Sequence, residues 1–320
     1  IFLLMKFSKK KLDIIFINFL RQAKVPKHTA KIVTKNLILS EMAGHPSHGI
    51  IRLIQYFEGI KKKIINPKAN PKVKKNNNFT IIECNRAFGQ YSMDVAINSI
   101  NKKNQISIIA VNNCSHIGRL SDYLEKLCKL NYISLIFCNG GGPNSALYPS
   151  ASRVCGTNPF GFGMPVDNKS NIIVDFSTSM LAEGKVRIHK IQKKFLRYFA
   201  IIDNKGKLSK NPKDFYNGGA LLPFGGKKGS GLMLACEILG GLLISNNNPI
   251  NKKYLDGNNC MVIVFKKNLF NYNENAFKKQ YKSLVKKIKF SRKLNNVKKS
   301  NNFLPNEWEN YNLKKTQNKF

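Results

Sequence analysis

The stretch that most restricts the fold runs from Ile106 to Cys138. Residues 106–111 read Ile-Ser-Ile-Ile-Ala-Val, an apolar, β-branched run suited to a buried strand. They pass directly into Asn112-Asn113-Cys114-Ser115-His116-Ile117-Gly118-Arg119. Residues 120–130 then have helical spacing, and 132–138 read as a second buried strand. Strand, loop, helix and strand in that order describe an α/β domain, and the loop after a strand is where such domains hold catalytic groups.

That loop carries one of only five histidines in 320 residues. A second histidine sits in a similar short motif, Ser47-His48-Gly49-Ile50-Ile51-Arg52. Each has an arginine three or four residues downstream, Arg119 and Arg52. An imidazole beside a guanidinium points to a site that moves a proton and holds an anion. Ahead of His48, residues 10–43 show apolar positions at helical spacing, broken at Lys24-Val25-Pro26, and read as two helices. Gly44 and Pro46 stop the second helix, and Ser47 is expected to cap the next, which places His48 near a helix N-terminus. His28 reads as a solvated helix-start residue.

The formal net charge of +37 suggests an anionic partner, yet only eight of the 54 basic residues are arginine. Lysine, asparagine and isoleucine are abundant throughout, which indicates a composition bias, and no base-reading or stacking motif argues for nucleic acid. Four of the eight arginines (52, 119, 153 and 187) fall in motif segments, where a planar fork serves better than an ammonium. Seven scattered cysteines without CxxC read as reduced, buried thiols of a cytoplasmic protein, with no metal site. No targeting segment is convincing, and the apolar run 231–244 contains Glu237, so it reads as a buried helix rather than a membrane span.

The remaining signals cluster around strand ends. Residues 80–84 and 171–176 read as strands and 93–102 as a helix. Asn139-Gly140-Gly141-Gly142 after a strand permits close backbone approach to a ligand or makes a tight turn. The stretch 156–165 is loop-rich, and its GxG lacks the third glycine of a dinucleotide fingerprint. Asp175 and Ser177-Thr178-Ser179 are expected at a helix start, suited to ribose or phosphate contacts or to an ordinary cap. Gly225-Gly226-Lys227-Lys228-Gly229 before the long apolar helix offers an anion cradle. Beyond residue 246 one strand (261–265) and one helix (277–288) are legible, and the tail from 289 is poorly patterned.

Six motifs in order carry a resemblance: Ser47-His48-Gly49-x-x-Arg52, Asn113-x-x-His116-Ile117-Gly118-Arg119, Cys138-Asn139-Gly140-Gly141-Gly142-Pro143, Gly156-Thr157-Asn158-Pro159-Phe160-x-Phe162-Gly163-x-Pro165, Asp175-Phe176-Ser177-Thr178-Ser179, and Pro223-Phe224-Gly225-Gly226-x-Lys228-Gly229-x-Gly231-Leu232. Together they resemble the type-2 malate/L-lactate dehydrogenase family, which includes sulfolactate and ureidoglycolate dehydrogenases and diketogulonate reductase. The resemblance implies an α/β, non-Rossmann NAD(P)-binding fold with an N-terminal helical segment, usually a homodimer, acting on a small 2-hydroxy or 2-oxo acid. It implies His116 and His48 as acid/base candidates and Arg52 as the carboxylate partner. Cofactor-contacting positions are implied at Asn139, Ile173, Asp175, Ser177, Lys227, Lys228, Pro305 and Glu307, with Asn306 where the family has glycine. The expected organisation is an N-terminal helical and substrate-side region (5–110), a central cofactor-binding region (111–250) and a C-terminal strand, helix and basic tail (251–320). The altered stretches after Tyr148 and Arg187 and the short C-terminus fit, alternatively, a weakly active or inactive homologue that retains fold and dimer.

Overall fold

The computed structural model describes residues 8–167, 170–245, 257–292, 304 and 307–317. Two helices come first, α1 (Lys9–Gln22) and α2 (Lys27–Met42). A single 3-10 turn, Pro46–His48, leads to α3 (Arg52–Lys61). Phe16, Leu20, Val33, Leu37, Ile38, Leu53 and Tyr56 close this layer into one apolar cluster, as the helical spacing requires. His28 is exposed at the start of α2.

The main body is a mixed seven-stranded sheet. Its strands are β1 (Lys72–Asn76), β2 (Phe79–Glu83), β3 (Ile106–Cys114), β4 (Tyr132–Gly140), β5 (Pro159–Pro165), β6 (Asn171–Ser177) and, last in this sheet, β10 (Asn258–Lys266). The spatial order is β1-β2-β3-β10-β4-β5-β6. Only β2 and β3 run parallel; the other neighbours are antiparallel. Two helices feed the sheet core, α4 (Gly89–Asn98) between β2 and β3 and α5 (Ser121–Lys129) between β3 and β4. Met93, Ala96, Tyr123, Leu124 and Leu127 pack there with Ile82, Ile109, Val111, Ile136 and Val262. After β6 come α6 (Glu183–Ile191), β7 (Ile201–Ile202), β8 (Leu208–Ser209), α7 (Pro212–Tyr216) and β9 (Ala220–Leu221). The three short strands form a second sheet, β8-β7-β9. Then α8 (Lys227–Glu237) runs into a π-helical turn, Ile238–Leu242. Two further helices, α9 (Glu274–Lys289) and α10 (Glu307–Gln317), follow β10. Among the described residues no helix is long and apolar enough to cross a membrane.

Several expectations need correction. The stretch 156–165 is not loop throughout, because β5 occupies Pro159–Pro165. Its glycines hide the strand signal while making room for α5: a Cβ on Gly161 would lie 3.1 Å from Leu124 Cδ1, and one on Gly163 3.2 Å from Leu124 Cβ. The helix expected at 93–102 is Gly89–Asn98. Ser177-Thr178-Ser179 opens no helix; Ser177 ends β6, and α6 begins at Glu183. Ser47 does not cap α3, whose N-cap is Ile51; the Ser47 hydroxyl lies 3.1 Å from His48 Nδ1 instead. His48 therefore sits in the 3-10 turn and not at an α-helix N-terminus. The basic connection 61–78 contains the fully exposed edge strand β1. In the tail, α10 packs on the end of α2 through polar contacts, Asn312 Nδ2 to Ala43 O (3.2 Å) and Thr316 Oγ1 to Met42 O (3.2 Å).

A buried polar network locks β4, β10 and α8 together. Glu237 accepts from Asn139 Nδ2 (3.2 Å) and Asn158 Nδ2 (2.8 Å). Asn139 Oδ1 accepts from the Asn259 amide (3.0 Å), and Asn158 Oδ1 from the Gly140 amide (3.0 Å). Burial pushes the Glu237 carboxyl above its ordinary range, and the two amides oppose that. Replacing Glu237 with Leu leaves the Asn139 Nδ2 donor without an acceptor and Asn158 Nδ2 with Met233 O (3.0 Å) alone. The expected loss is about 2–4 kcal/mol of unfolding free energy in a urea titration, with the slope unchanged.

Candidate active site

A cavity of about 400 Å³ opens where the N-terminal helices meet the ends of β3, β4 and β10. His48, Arg52, Gln55, Tyr56 and His116 line one part of it, with Arg153, Glu183, Arg187 and Tyr216 in another. The size suits a small acid together with part of a cofactor.

The two histidines meet face to face, ring centroids 5.5 Å apart and planes 22° from parallel. His116 is carried by the loop after β3, whose backbone is pinned from β10: the Ile117 amide donates to Asn258 Oδ1 (3.1 Å) and the Asn113 amide to Asn259 Oδ1 (2.6 Å). Its Nδ1 lies 2.9 Å from Tyr56 Oη, and that hydroxyl accepts from Gln90 Nε2 at 2.5 Å. Burial holds both imidazoles well below the ordinary histidine value, and the Arg52 guanidinium lowers both further. Both are therefore neutral at pH 7 in the free protein.

Arg52 is buried, and its Nε donates to Ser47 O (2.7 Å) while Nη1 donates to Gln55 Oε1. Glu183 Oε2 stands 3.7 Å from Arg52 Nη1. The other oxygen, Oε1, accepts from Arg187 Nε (3.0 Å) and Tyr216 Oη (2.8 Å). One carboxylate thus bridges two arginines across the cavity. Gly184 makes the approach possible, because a Cβ there would lie 2.7 Å from Arg52 Nη2. Arg153 donates from Nε to Gly219 O (2.6 Å) and lies 4.4 Å over the Phe215 ring.

The structure thus brings His48, Arg52 and His116 together. Arg119 does not join them; it is buried and paired with Asp122 in the first turn of α5. The seven expected cofactor positions that fall among the described residues lie elsewhere. Asn139 is fully buried in the polar network, and Ile173 is in the sheet core. Asp175 Oδ2 accepts from the Ser121 amide (2.8 Å) and hydroxyl (2.7 Å), tying β6 to α5. Ser177 donates to Ser179 O (2.9 Å). Lys227 and Lys228 are exposed at the N-terminus of α8. Glu307 begins α10 and pairs with Lys289 at 2.8 Å, while Pro305 lies outside the described residues. Sequence reasoning missed Tyr56, Gln90, Glu183 and Tyr216. Tyr56 had a signal, since it lies four residues after Arg52 on the same helix face; Glu183 likewise precedes Arg187 by four.

Comparison with known proteins agrees with this architecture. The family model described as malate/L-lactate dehydrogenase matches residues 7–319. A malate dehydrogenase of Pyrococcus abyssi is 30% identical over 252 residues, covering 74% of this chain and 68% of that protein. An L-sulfolactate dehydrogenase of Methanocaldococcus jannaschii is 31% identical over 238 residues, covering 72% of this chain and 67% of that protein. The solved malate dehydrogenase of Pyrococcus horikoshii superposes with a TM-score of 0.81 at 25% identity, covering 98% of this chain and 90% of that one. From the match along nearly its whole length and from these relatives, the chain belongs to the malate/L-lactate dehydrogenase family.

Proposed function

We propose that the chain is an NAD(P)-dependent dehydrogenase that interconverts a small 2-hydroxy acid, of the malate or lactate type, with its 2-oxo acid. The observation that carries this reading is the stacking of two imidazoles beside Arg52 in one cavity, in a chain of this family. The nicotinamide supplies or takes up the hydride when bound.

The chain's own groups suit the dinucleotide. Gly225 and Gly226 hold left-handed φ of 56° and 59° ahead of α8, and a Cβ on Gly225 would meet nothing within 4 Å. Exposed Lys227 and Lys228 stand at that helix start, a combination favourable to phosphate. In the proposed cofactor set, Lys227, Lys228, Ser177, Asp175 and Glu307 offer polar groups. Asn139 and Ile173 serve through the shape of the wall behind them, and Pro305 completes the set from the matching motif.

Arg52 draws the substrate carboxylate into the cavity and orients the carbonyl. In reduction, His116 delivers a proton to the substrate oxygen, with His48 stacked beside it. The electrostatics link the two events. Burial first, and the Arg52 guanidinium second, hold both imidazoles low in the free site, so a carboxylate that offsets the Arg52 charge removes one of the two causes and favours proton uptake by an imidazole. Proton donor and substrate then arrive together. The exposed apolar residues Leu234, Ile238, Leu242 and Leu243, recurring along α8 and its π-helical turn, support a homodimer as the working form.

Purified protein is expected to oxidise NADH or NADPH with a 2-oxo acid from a panel of malate-, lactate- and sulfolactate-type substrates. His116→Ala lowers kcat by about 10²–10⁴-fold. Arg52→Lys raises KM by at least about tenfold, because an ammonium does not reproduce the fork. Absence of turnover with every pair, in a folded dimer, would favour an inactive homologue. Calorimetric titration with a non-reacting 2-oxo acid analogue should show uptake of up to one proton at pH 7, with affinity falling as pH rises. Affinity independent of pH between 6 and 9 would break the proposed link.

A further inference from the structure

We propose that Tyr56 and Gln90 form a positioning relay behind His116, holding the ring through Nδ1 so that Nε2 is the atom presented to substrate. The proposal rests on the dehydrogenase reading for its kinetic consequence but not for its geometry. Tyr56 is fully enclosed, and Gln90 is 1% exposed. A phenol has one proton to give and lone pairs to receive. Gln90 Nε2 donates to Tyr56 Oη, so the phenol's own proton is directed to His116 Nδ1, 2.9 Å away. Burial pushes the Tyr56 phenol up to about 12, which keeps that proton in place. Neutral His116 then carries its hydrogen on Nε2.

The remaining groups facing His116 do not replace this partner. His48 is stacked on the ring face, and Arg52 and Arg187 are cations with no acceptor to offer Nδ1–H. The relay also has a second arrangement. Gln90 Oε1 is buried and has no partner among the described residues. A half-turn of the amide brings that acceptor to Tyr56 Oη. Tyr56 then donates to Gln90 and accepts from Nδ1–H of the imidazolium. In reduction the Nε2–H bond breaks and an O–H bond forms on the substrate. The ring is left as the neutral Nδ1–H form accepted by Tyr56. A solvent proton at Nε2 restores the imidazolium, and loss of the Nδ1 proton to solvent with the return turn of Gln90 restores the Nε2–H form of the free site. One side-chain turn thus serves both charge states without moving the imidazole.

The test is ¹⁵N NMR of histidine-labelled protein, with His116 assigned by its loss in His116→Gln, combined with steady-state kinetics. In the unsubstituted protein, neutral His116 is expected as the Nε2–H form. Tyr56→Phe removes the donor that stabilises this form, so the Nδ1–H form of neutral His116 appears. Its kcat falls at least about tenfold, while KM for the 2-oxo acid stays within about threefold. Gln90→Met keeps the Tyr56 donor but removes the acceptor for the reversed chain, so it shifts the His116 titration midpoint down. A changed tautomer in one variant, and a lowered midpoint with the Nε2–H form kept in the other, exclude a general loosening of the fold. An Nδ1–H form in the unsubstituted protein, or an Nε2–H form kept in Tyr56→Phe, would overturn the relay. If Tyr56→Phe does not fold, an unmoved midpoint in Gln90→Met overturns it. Loss of all turnover in the unsubstituted protein would count against the dehydrogenase reading, and the NMR result would still decide the relay.

Discussion

The site depends on a strand that arrives late in the chain. β10 inserts between β3 and β4, and its first residues, Asn258 and Asn259, hold the chain segments on either side. Asn258 receives the Ile117 amide and donates to Asn139 O at 2.9 Å. Asn259 receives the Asn113 amide and donates its own to Asn139 Oδ1. Two adjacent amide side chains thereby set both the loop that carries His116 and the β4 end that lines the cavity. Ordinary ladder bonds hold β10 in the sheet, and these side-chain bonds tie it to loop backbone where the ladder stops, alongside the Ser115 amide on Ala87 O (2.9 Å) and the Tyr123 hydroxyl on Ile117 O. The Asn258 and Asn259 side-chain bonds to the loop join positions 141 and 146 residues apart, which makes the site a non-local product of folding.

The chemistry of the cavity follows from what burial does to each group. Both imidazoles lose water and gain cationic neighbours, so both stay neutral; the Tyr56 phenol loses water and stays protonated. Glu183 has an opposite role, since it bridges Arg52 and Arg187 and offsets part of their charge. Without it, two guanidiniums facing one small cavity would bind anions indiscriminately. With it, the positive charge near the histidines is held in a fixed place.

His48, Arg52 and His116 are legible in the sequence because each lies in a short segment of unusual composition, with histidine and arginine rare everywhere else. The helical pair 10–43 and the buried strands are legible because their apolar periodicity is strong. Other elements escape for identifiable reasons. β5 is written largely in glycine and proline, since α5 lies too close for side chains at Gly161 and Gly163. α10 carries almost no apolar stripe, because polar side chains fasten it to α2. The partners of His116 escape because they lie far along the chain, Tyr56 at a separation of 60 positions and Asn258 at 141 from Ile117. Lys227, Lys228 and Asp175 show the converse: a motif names a position without saying whether its side chain faces a ligand or braces a neighbouring element.

The charge composition makes sense at the level of single side chains. Lysine supplies most of the excess positive charge, and most of it stands in water. Arginine is used differently: Arg21, Arg52, Arg86, Arg119, Arg153 and Arg187, six of the eight, direct bonds at named oxygens. Arg86 and Arg153 reach backbone carbonyls that close turns, while Arg52 spans a carbonyl, an amide and a carboxylate at once. An ammonium gives its three hydrogens from one atom, as buried Lys267 does to Val166 O and Glu274, so it reaches acceptors gathered around that atom, whereas a guanidinium spreads its donors over three nitrogens. In a chain this rich in lysine, an arginine therefore marks a place where direction matters more than charge, and three of the six directed arginines line the one cavity that also holds both stacked histidines.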